Sequence, residues 1–186
     1  MANNSANVSV GKPNKTGGAV HFAVLGTTLP TDATTALDNA FKDLGYISEE
    51  GVRHNMERTS EDIKAWGGDV VLSPETEKSD IFTMKFIESL NVEVLKLVHG
   101  AANVTGTLAT GIAISANSSE LDYGSMAIDM LMTNGAKKRI VLPNCKVSNI
   151  SEVSYVDNDA VGYEAEVKAF PDSSGNTHYE YIVKPE

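Results

Sequence analysis

The sequence predicts a mainly β protein, an antiparallel β-sandwich or partly closed β-barrel with one flanking α-helix. Three observations lead to this fold class: apolar and polar residues alternate in five separate segments, one segment has helical periodicity, and turn signals separate the alternating segments. The chain has 186 residues, which is enough to bury a core, and no repeat or linker divides it. We therefore expect a single domain over residues 18–186.

The N-terminal part combines a polar stretch with the first strand and an ambiguous segment. Residues 1–17 are rich in Asn, Ser, Gly and Lys, which predicts a flexible N-terminal arm. The first strand follows, with Val20, Phe22 and Val24 on one face and His21 and Ala23 on the other. Residues 31–45 are compatible with either a short amphipathic helix or a packed loop.

Residues 45–68 are predicted to form a long loop, because they are mostly polar and charged. A loop of this length is usually functional or ordered by a partner. It carries Met56, Ile63 and Trp66, the only tryptophan, and these are our candidate inter-subunit contacts. The alternative is that Trp66 plugs the core. In either case, Gly67 and Gly68 supply the backbone freedom to reverse the chain into the next strand.

A second strand and the helix follow. Phe82, Met84 and Phe86 alternate with polar residues, which predicts a half-buried strand. The helix has one apolar stripe, with Asn91 as N-cap and Gly100 at its end. The residues of the stripe are Val94, Leu95, Leu97 and Val98.

The C-terminal third is predicted to be all strand. Asn134-Gly135 predicts a tight hairpin between two of these strands. Residues 171–176 are predicted to join the last two strands as a longer hairpin loop. The apolar faces are expected to be formed by Met126, Ile128, Met130 and Met132, then Val161, Tyr163, Ala165, Val167 and Ala169, then Tyr179, Tyr181 and Val183.

The sequence shows no arrangement of residues that predicts catalysis, so we expect neither an enzyme nor a cofactor. The four histidines are scattered without ligand spacing, and we expect no metal site. Residues 157–159 resemble the start of a calcium loop, but the later glycine and glutamate are missing, and a turn is the better interpretation. We expect Cys145 to be a buried or strand-edge thiol.

The charge balance is acidic, with 25 carboxylates against 15 basic residues and a net charge of −10. A protein that binds nucleic acid tightly needs a basic face. The longest run of basic residues in this chain is only Lys137–Arg139. The composition is compatible with an anionic surface that repels DNA. No membrane-spanning apolar run and no secretory signal are visible.

Four segments, taken together and in order, resemble the major tail protein (tail tube protein) of siphophages. They read GTTLPTDATTALDNAFKDLGYISEEGV, SEDIKAWGGDVVL, ATGIAISANSSELDYGSMAIDMLMTNGAKKRIVLP and FPDSSGNTHYEYIV. The resemblance extends from about residue 17 to residue 184 and is to the short form, which has no C-terminal immunoglobulin-like domain.

This resemblance implies a virion structural protein whose hexameric rings stack into a hollow tube around a tape measure protein. It implies further partners in the tail-tip and tail terminator proteins, assembly in the host bacterial cytoplasm and no membrane contact. DNA would pass through the lumen during ejection without specific binding. Strand acids Asp129, Glu164 and Glu166 are then candidate lumen acids.

Two other functions remain open from the sequence. One is the tube protein of a related bacterial secretion or tail-like system, which shares this architecture. The other is a surface-binding β-sandwich module, which predicts an aromatic-rich face, whereas aromatic residues make up only 6% of this chain.

Overall fold

The computed structural model of the chain describes residues 3–14 and 17–184. It has one α-helix, α1 (Val92–His99), and two short 3-10 turns, Ser5–Asn7 and Ala101–Asn103. The strands are β1 (Gly11–Pro13), β2 (Val20–Val24), β3 (Lys42–Asp43), β4 (Ile47–Ser60), β5 (Ile63–Lys64), β6 (Val70–Leu72), β7 (Glu75–Phe86), β8 (Val104–Thr107), β9 (Gly111–Ile114), β10 (Gly124–Met132), β11 (Lys137–Ile150), β12 (Tyr163–Ala169) and β13 (Tyr179–Val183).

Nine strands form one antiparallel sheet, in the order β3-β2-β10-β11-β12-β7-β4, with β1 added to β10 and β13 added to β11. Two small hairpins, β5-β6 and β8-β9, form separate two-stranded sheets. The mainly β class with one flanking helix is therefore confirmed. The described strands do not close into a barrel, which is consistent with a sandwich.

The main core lies on one face of this sheet and follows the alternation of the sequence. Phe82, Met84 and Phe86 of β7 are buried, and Ala165 and Val167 of β12 lie beside them. Each of these apolar residues is followed by a partly exposed one, as expected for strands with a single buried face.

Helix α1 covers this core with the four apolar residues that the sequence predicts. Its N-cap is confirmed, because the Asn91 side chain accepts a hydrogen bond of 3.0 Å from the backbone N–H of Glu93. Gly100 ends the helix with a φ of 91°, a conformation that glycine adopts without a steric penalty. The buried residues of the helix are Val94, Leu95, Leu97 and Val98.

The opposite face of the sheet is covered near β2 and β10 by the chain that leads into β3. Phe41 packs there against Ala23 and Ala127, and Leu29 and Leu37 lie at the margin of this smaller cluster. Residues 31–41 form bends and turns without a helix. Of the two structures open from the sequence, the packed loop is the one that forms.

Residues 45–68 are not a loop, and that prediction is wrong. Most of the segment is strand β4, which pairs with β7 from the Ile47–Phe86 pair to the Ser60–Glu75 pair. The chain could form this long strand without an apolar alternation, because backbone hydrogen bonds to β7 hold it. Only its first half lies over the core.

The last two strands do not form a hairpin with each other, which corrects the expectation for residues 171–176. β12 pairs with residues 145–150 of β11, and β13 pairs with residues 137–141 of the same strand. The two strands therefore lie end to end along one edge of β11. The Asn134-Gly135 turn between β10 and β11 is confirmed, with Gly135 at a φ of 82°.

The division into an arm over residues 1–17 and a domain over 18–186 stays a prediction. Within the arm, Gly11–Pro13 pairs with Met130–Met132 of β10. Residues 1, 2, 15 and 16 of the arm and the last two residues of the domain lie outside the described residues. Among the described helices, none has the length and apolar character needed to cross a bilayer.

Candidate functional site

A hairpin built from the far ends of β4 and β7 projects from the body of the protein. Every residue from Asn55 to Lys78 is exposed, whereas Asp80 and Phe82, next along β7, are buried. We call residues 55–78 the projecting hairpin. At about 3.3 Å per residue, it reaches up to about 35 Å from the sheet.

Local chemistry explains why this stretch turns back on itself at Trp66-Gly67. Gly67 and Gly68 have φ values of 118° and 100°, which side chains with a Cβ rarely adopt. The backbone N–H of Ala65 donates to the carbonyl of Asp69 at 2.8 Å and closes the tip. The glycine pair therefore reverses the chain, as the sequence predicts.

The projecting hairpin carries all three candidate inter-subunit contacts on its surface. Trp66 is fully exposed, and Met56 and Ile63 are each at least half exposed. Trp66 is therefore not a core plug. Three further exposed apolar side chains lie on the returning strand: Val70, Val71 and Leu72.

A free two-stranded ribbon is only marginally stable in water. This one is held by its backbone ladder and by an exposed ion pair between Arg58 Nη1 and Glu75 Oε2 at 2.8 Å. Exposed pairs of this kind contribute little. Several exposed apolar side chains on such a ribbon are typical of a surface that becomes covered by another protein.

The outer edge of β4 is a second feature open to a partner. Within the described part of the chain, β4 pairs with β7 alone, so its other side presents unpaired backbone groups over residues 47–60. Proteins usually protect edges of this length, because a second chain adds to them readily.

Asp129, the first candidate lumen acid, is engaged by a cation of its own chain. The guanidinium of Arg139 contacts both carboxylate oxygens, with Nε to Oδ1 at 2.6 Å and Nη2 to Oδ2 at 2.9 Å. Both side chains are largely buried. This pairing offsets the negative charge that Asp129 would otherwise show to a ligand.

Glu164 and Glu166 lie on the face of β12 opposite the main core, together with several basic residues. Glu164 lies opposite Lys85 of β7 in the strand register, and its carboxylate contacts the guanidinium of Arg53. Lys168, on the same face of β12, lies opposite Lys146 of β11. Basic residues therefore lie among the two acids on this face, although Arg53, Lys85 and Lys146 are each also paired with a further acid.

The structure brings together three residues that the sequence analysis kept apart: His54, Asp80 and His178. His54 Nε2 hydrogen-bonds Asp80 Oδ1, and His178 Nδ1 lies 2.7 Å from Asp80 Oδ2. Thr177 donates a further hydrogen bond of 2.6 Å to Oδ2. The expectation of no metal site rested on the scattered sequence positions of the histidines, two of which the fold brings to one carboxylate.

The electrostatics of this cluster are set by the buried carboxylate. Burial by itself raises the pKa of Asp80, but the hydrogen bonds from Thr177, His54 and His178 and the attraction of His178 outweigh it. The pKa of Asp80 is therefore below its ordinary value, and the group stays ionised. A buried charge of this kind requires close partners.

The single cysteine takes no part in any of these features. Cys145 is fully buried in β11, and burial raises the pKa of its thiol far above the ordinary value. The prediction of a buried thiol is confirmed.

The chain matches a known protein family over almost its whole length. The model of the family described as "Phage tail tube protein" matches residues 1–185. No curated protein matches the sequence.

Proposed function

This chain belongs to the phage tail tube protein family, and from that premise we propose that it closes into hexameric rings that stack into the DNA-conducting tube of a siphophage tail. Membership gives the coarser role directly: a structural, non-enzymatic protein of the virion tail that assembles into a tube with other tail proteins. The ring, the stacking and the conduction of DNA are our inference.

The projecting hairpin is the observation that best supports stacking. Residues 55–78 leave the body as an exposed ribbon whose apolar side chains, Trp66 among them, have no cover within the described residues. Contact with the next ring would bury these side chains and order the ribbon. Met56, Ile63 and Trp66 are the residues that we assign to this contact.

The outer edge of β4 supports ring closure. A strand supplied by a neighbouring copy would satisfy the unpaired backbone groups of residues 47–60 and continue the sheet between subunits. Such a contact joins two different surfaces, and it forms a closed ring when the rotation between copies completes a circle.

We further propose which residues line the lumen and which other tail proteins the tube contacts. We assign Asp129, Glu164 and Glu166 to the tube wall, where the two glutamates would let DNA slide without the counterion release that rewards binding, whereas Asp129 keeps its ion pair with Arg139. The partners are the tape measure protein inside the tube and the tail-tip and tail terminator proteins at its ends. Assembly takes place in the host cytoplasm.

The test is assembly of the untagged, purified protein, followed by sedimentation and negative-stain electron microscopy over a range of concentrations. We expect rings or tubes at high concentration or after tail-tip proteins are added. The matched variants are Trp66→Ser in the projecting hairpin and Leu108→Ser, which changes an equally apolar exposed residue in the β8-β9 hairpin.

Trp66→Ser should reduce tube formation at least tenfold, while Leu108→Ser assembles like the wild-type chain. The proposal is wrong if the wild-type chain remains monomeric under all these conditions. Equal assembly of the two variants would remove the projecting hairpin from the stacking contact.

A further inference from the structure

We propose that His54, Asp80 and His178 form a binding site for a divalent transition metal ion of the zinc class, at the base of the projecting hairpin. The site does not depend on assembly of a tube and can be tested on the single chain.

The first support is the convergence of three good ligands on one point. One nitrogen of each imidazole and one oxygen of the carboxylate lie within 4.8 Å of one another. A tetrahedral zinc site with bonds of about 2.0–2.1 Å separates its ligand atoms by about 3.3 Å. The three ligand atoms therefore need only small shifts to reach the separations of a zinc site.

The second support is the chemistry of the donor set. Two imidazoles and one carboxylate are a common ligand set for zinc, with water in the fourth position. His54 and His178 are partly exposed, whereas Asp80 is fully buried. The site therefore has an anionic floor and an opening toward solvent through which an ion and its water could enter.

The third support is the way the ligands are already held in place. Thr177 Oγ1 donates to Asp80 Oδ2 and fixes the carboxylate. The ring of Phe82 stacks on His54 at a centroid distance of 3.9 Å and fixes that imidazole. Outer contacts of this kind orient the ligands of metal sites and raise their affinity.

Both imidazoles contact Asp80 directly. Metal binding replaces these contacts: each N–H that points at the carboxylate moves to the other ring nitrogen or leaves as a proton. Affinity should therefore fall in acid, because protons compete for the same nitrogens. A cation faces the cluster: Lys78 Nζ donates to Thr177 Oγ1 at 3.3 Å.

An ion at this point would join three parts of the chain. His54 belongs to β4, Asp80 to β7, and His178 precedes β13 at the other end of the sequence. The metal would lock both strands of the projecting hairpin, at the point where they leave the core, to the segment that leads into the last strand. Its expected effect is higher stability and a more fixed hairpin direction.

The test uses the untagged chain after treatment with EDTA and removal of the chelator. Zn²⁺ should bind with a stoichiometry of one ion per chain in calorimetry. It should raise the thermal midpoint by about 5–10 °C at a hundredfold excess over the dissociation constant. Mg²⁺, which prefers oxygen ligands, should have no such effect.

The variants His54→Gln and His178→Gln should each weaken Zn²⁺ binding at least tenfold. The matched control is His99→Gln, a partly buried histidine that packs edge-to-face against Tyr163, away from the cluster. It should bind like the wild-type chain. No saturable binding by the wild-type chain, or equal binding by all three variants, overturns the proposal.

A footprint on the wild-type chain covers the case in which the variants fail to fold. Diethyl pyrocarbonate modifies accessible imidazoles, and mass spectrometry locates the modified residues. Zn²⁺ should slow modification of His54 and His178 at least fivefold and leave His99 unchanged. Equal rates with and without Zn²⁺ at His54 and His178 overturn the proposal.

Discussion

Arg139 shows how one side chain can hold the second face of the sheet together. Besides Asp129, its guanidinium donates to the backbone carbonyls of Thr35 at 2.7 Å and Asp32 at 3.2 Å. It therefore fixes the packed loop to the sheet and satisfies backbone groups that would otherwise need water. This role makes Asp129 a structural residue as well as a candidate lumen acid.

We expect Arg139→Ala to destabilise the fold by about 3–5 kcal/mol, because it leaves Asp129 largely buried without a cation. Urea unfolding at pH 7 gives the measurement. The double variant Asp129→Asn, Arg139→Met should recover part of this loss. A loss below about 1 kcal/mol for Arg139→Ala would show that Asp129 is well solvated.

Cys145 yields a second prediction at this scale. Its thiol is buried and its pKa is raised, so little reactive thiolate should form in the folded protein. Ellman's reagent at pH 8 should react with the urea-unfolded chain within minutes and with the folded chain at least a hundredfold more slowly. Fast reaction of the folded chain would place the thiol on the surface.

At the scale of elements, the sequence predicts the helix and the strands that bury one apolar face in a single core. Helix α1 is predicted residue by residue, because its cap, its stripe and its final glycine are all local. The core faces of β7 and β12 are also predicted, since one buried face produces a period of two. These elements need no knowledge of the rest of the chain.

Three features could not be predicted in this way. The outer half of β4 has two exposed faces, so it carries no alternation and looks like a loop. The place of β13 depends on which part of β11 is already occupied by β12. The ligands of the proposed metal site are 26 and 98 residues apart, and only the pairing of β4 with β7 and the path into β13 bring them together.

The projecting hairpin gives a prediction that separates assembly from folding. Trp66→Ala removes a side chain that is fully exposed in the single chain, so the free energy of unfolding should change by less than about 0.5 kcal/mol. Tube formation should fall strongly, because an aromatic anchor at an interface is lost. A stability loss of about 3 kcal/mol or more would show that Trp66 is packed within its own chain.

For the whole molecule, hydrogen exchange should distinguish the single chain from the assembled tube. The amides of residues 55–78 lie in an exposed ribbon and should exchange fast in the monomer, whereas those of Phe82 and Val167 in the core should exchange slowly. In tubes, the hairpin amides should become protected. Unchanged exchange in the hairpin would exclude it from the contacts.

The lumen proposal is tested by reversing charges in the assembled particle. Glu164→Lys with Glu166→Lys should leave assembly intact and slow DNA ejection, most at low salt, where phosphate attraction is strongest. Asp157→Lys, in an exposed loop, is the control. Equal ejection rates at all salt concentrations would place β12 away from the lumen.

The exposed apolar side chains of the projecting hairpin also determine how the assembly responds to cold. Covering them on stacking should give association a negative heat capacity change, and the attraction should weaken as the temperature falls. Tubes formed at 37 °C should therefore shed subunits near 0 °C and regrow on warming. Trp66, the largest of these side chains, should account for much of that temperature dependence.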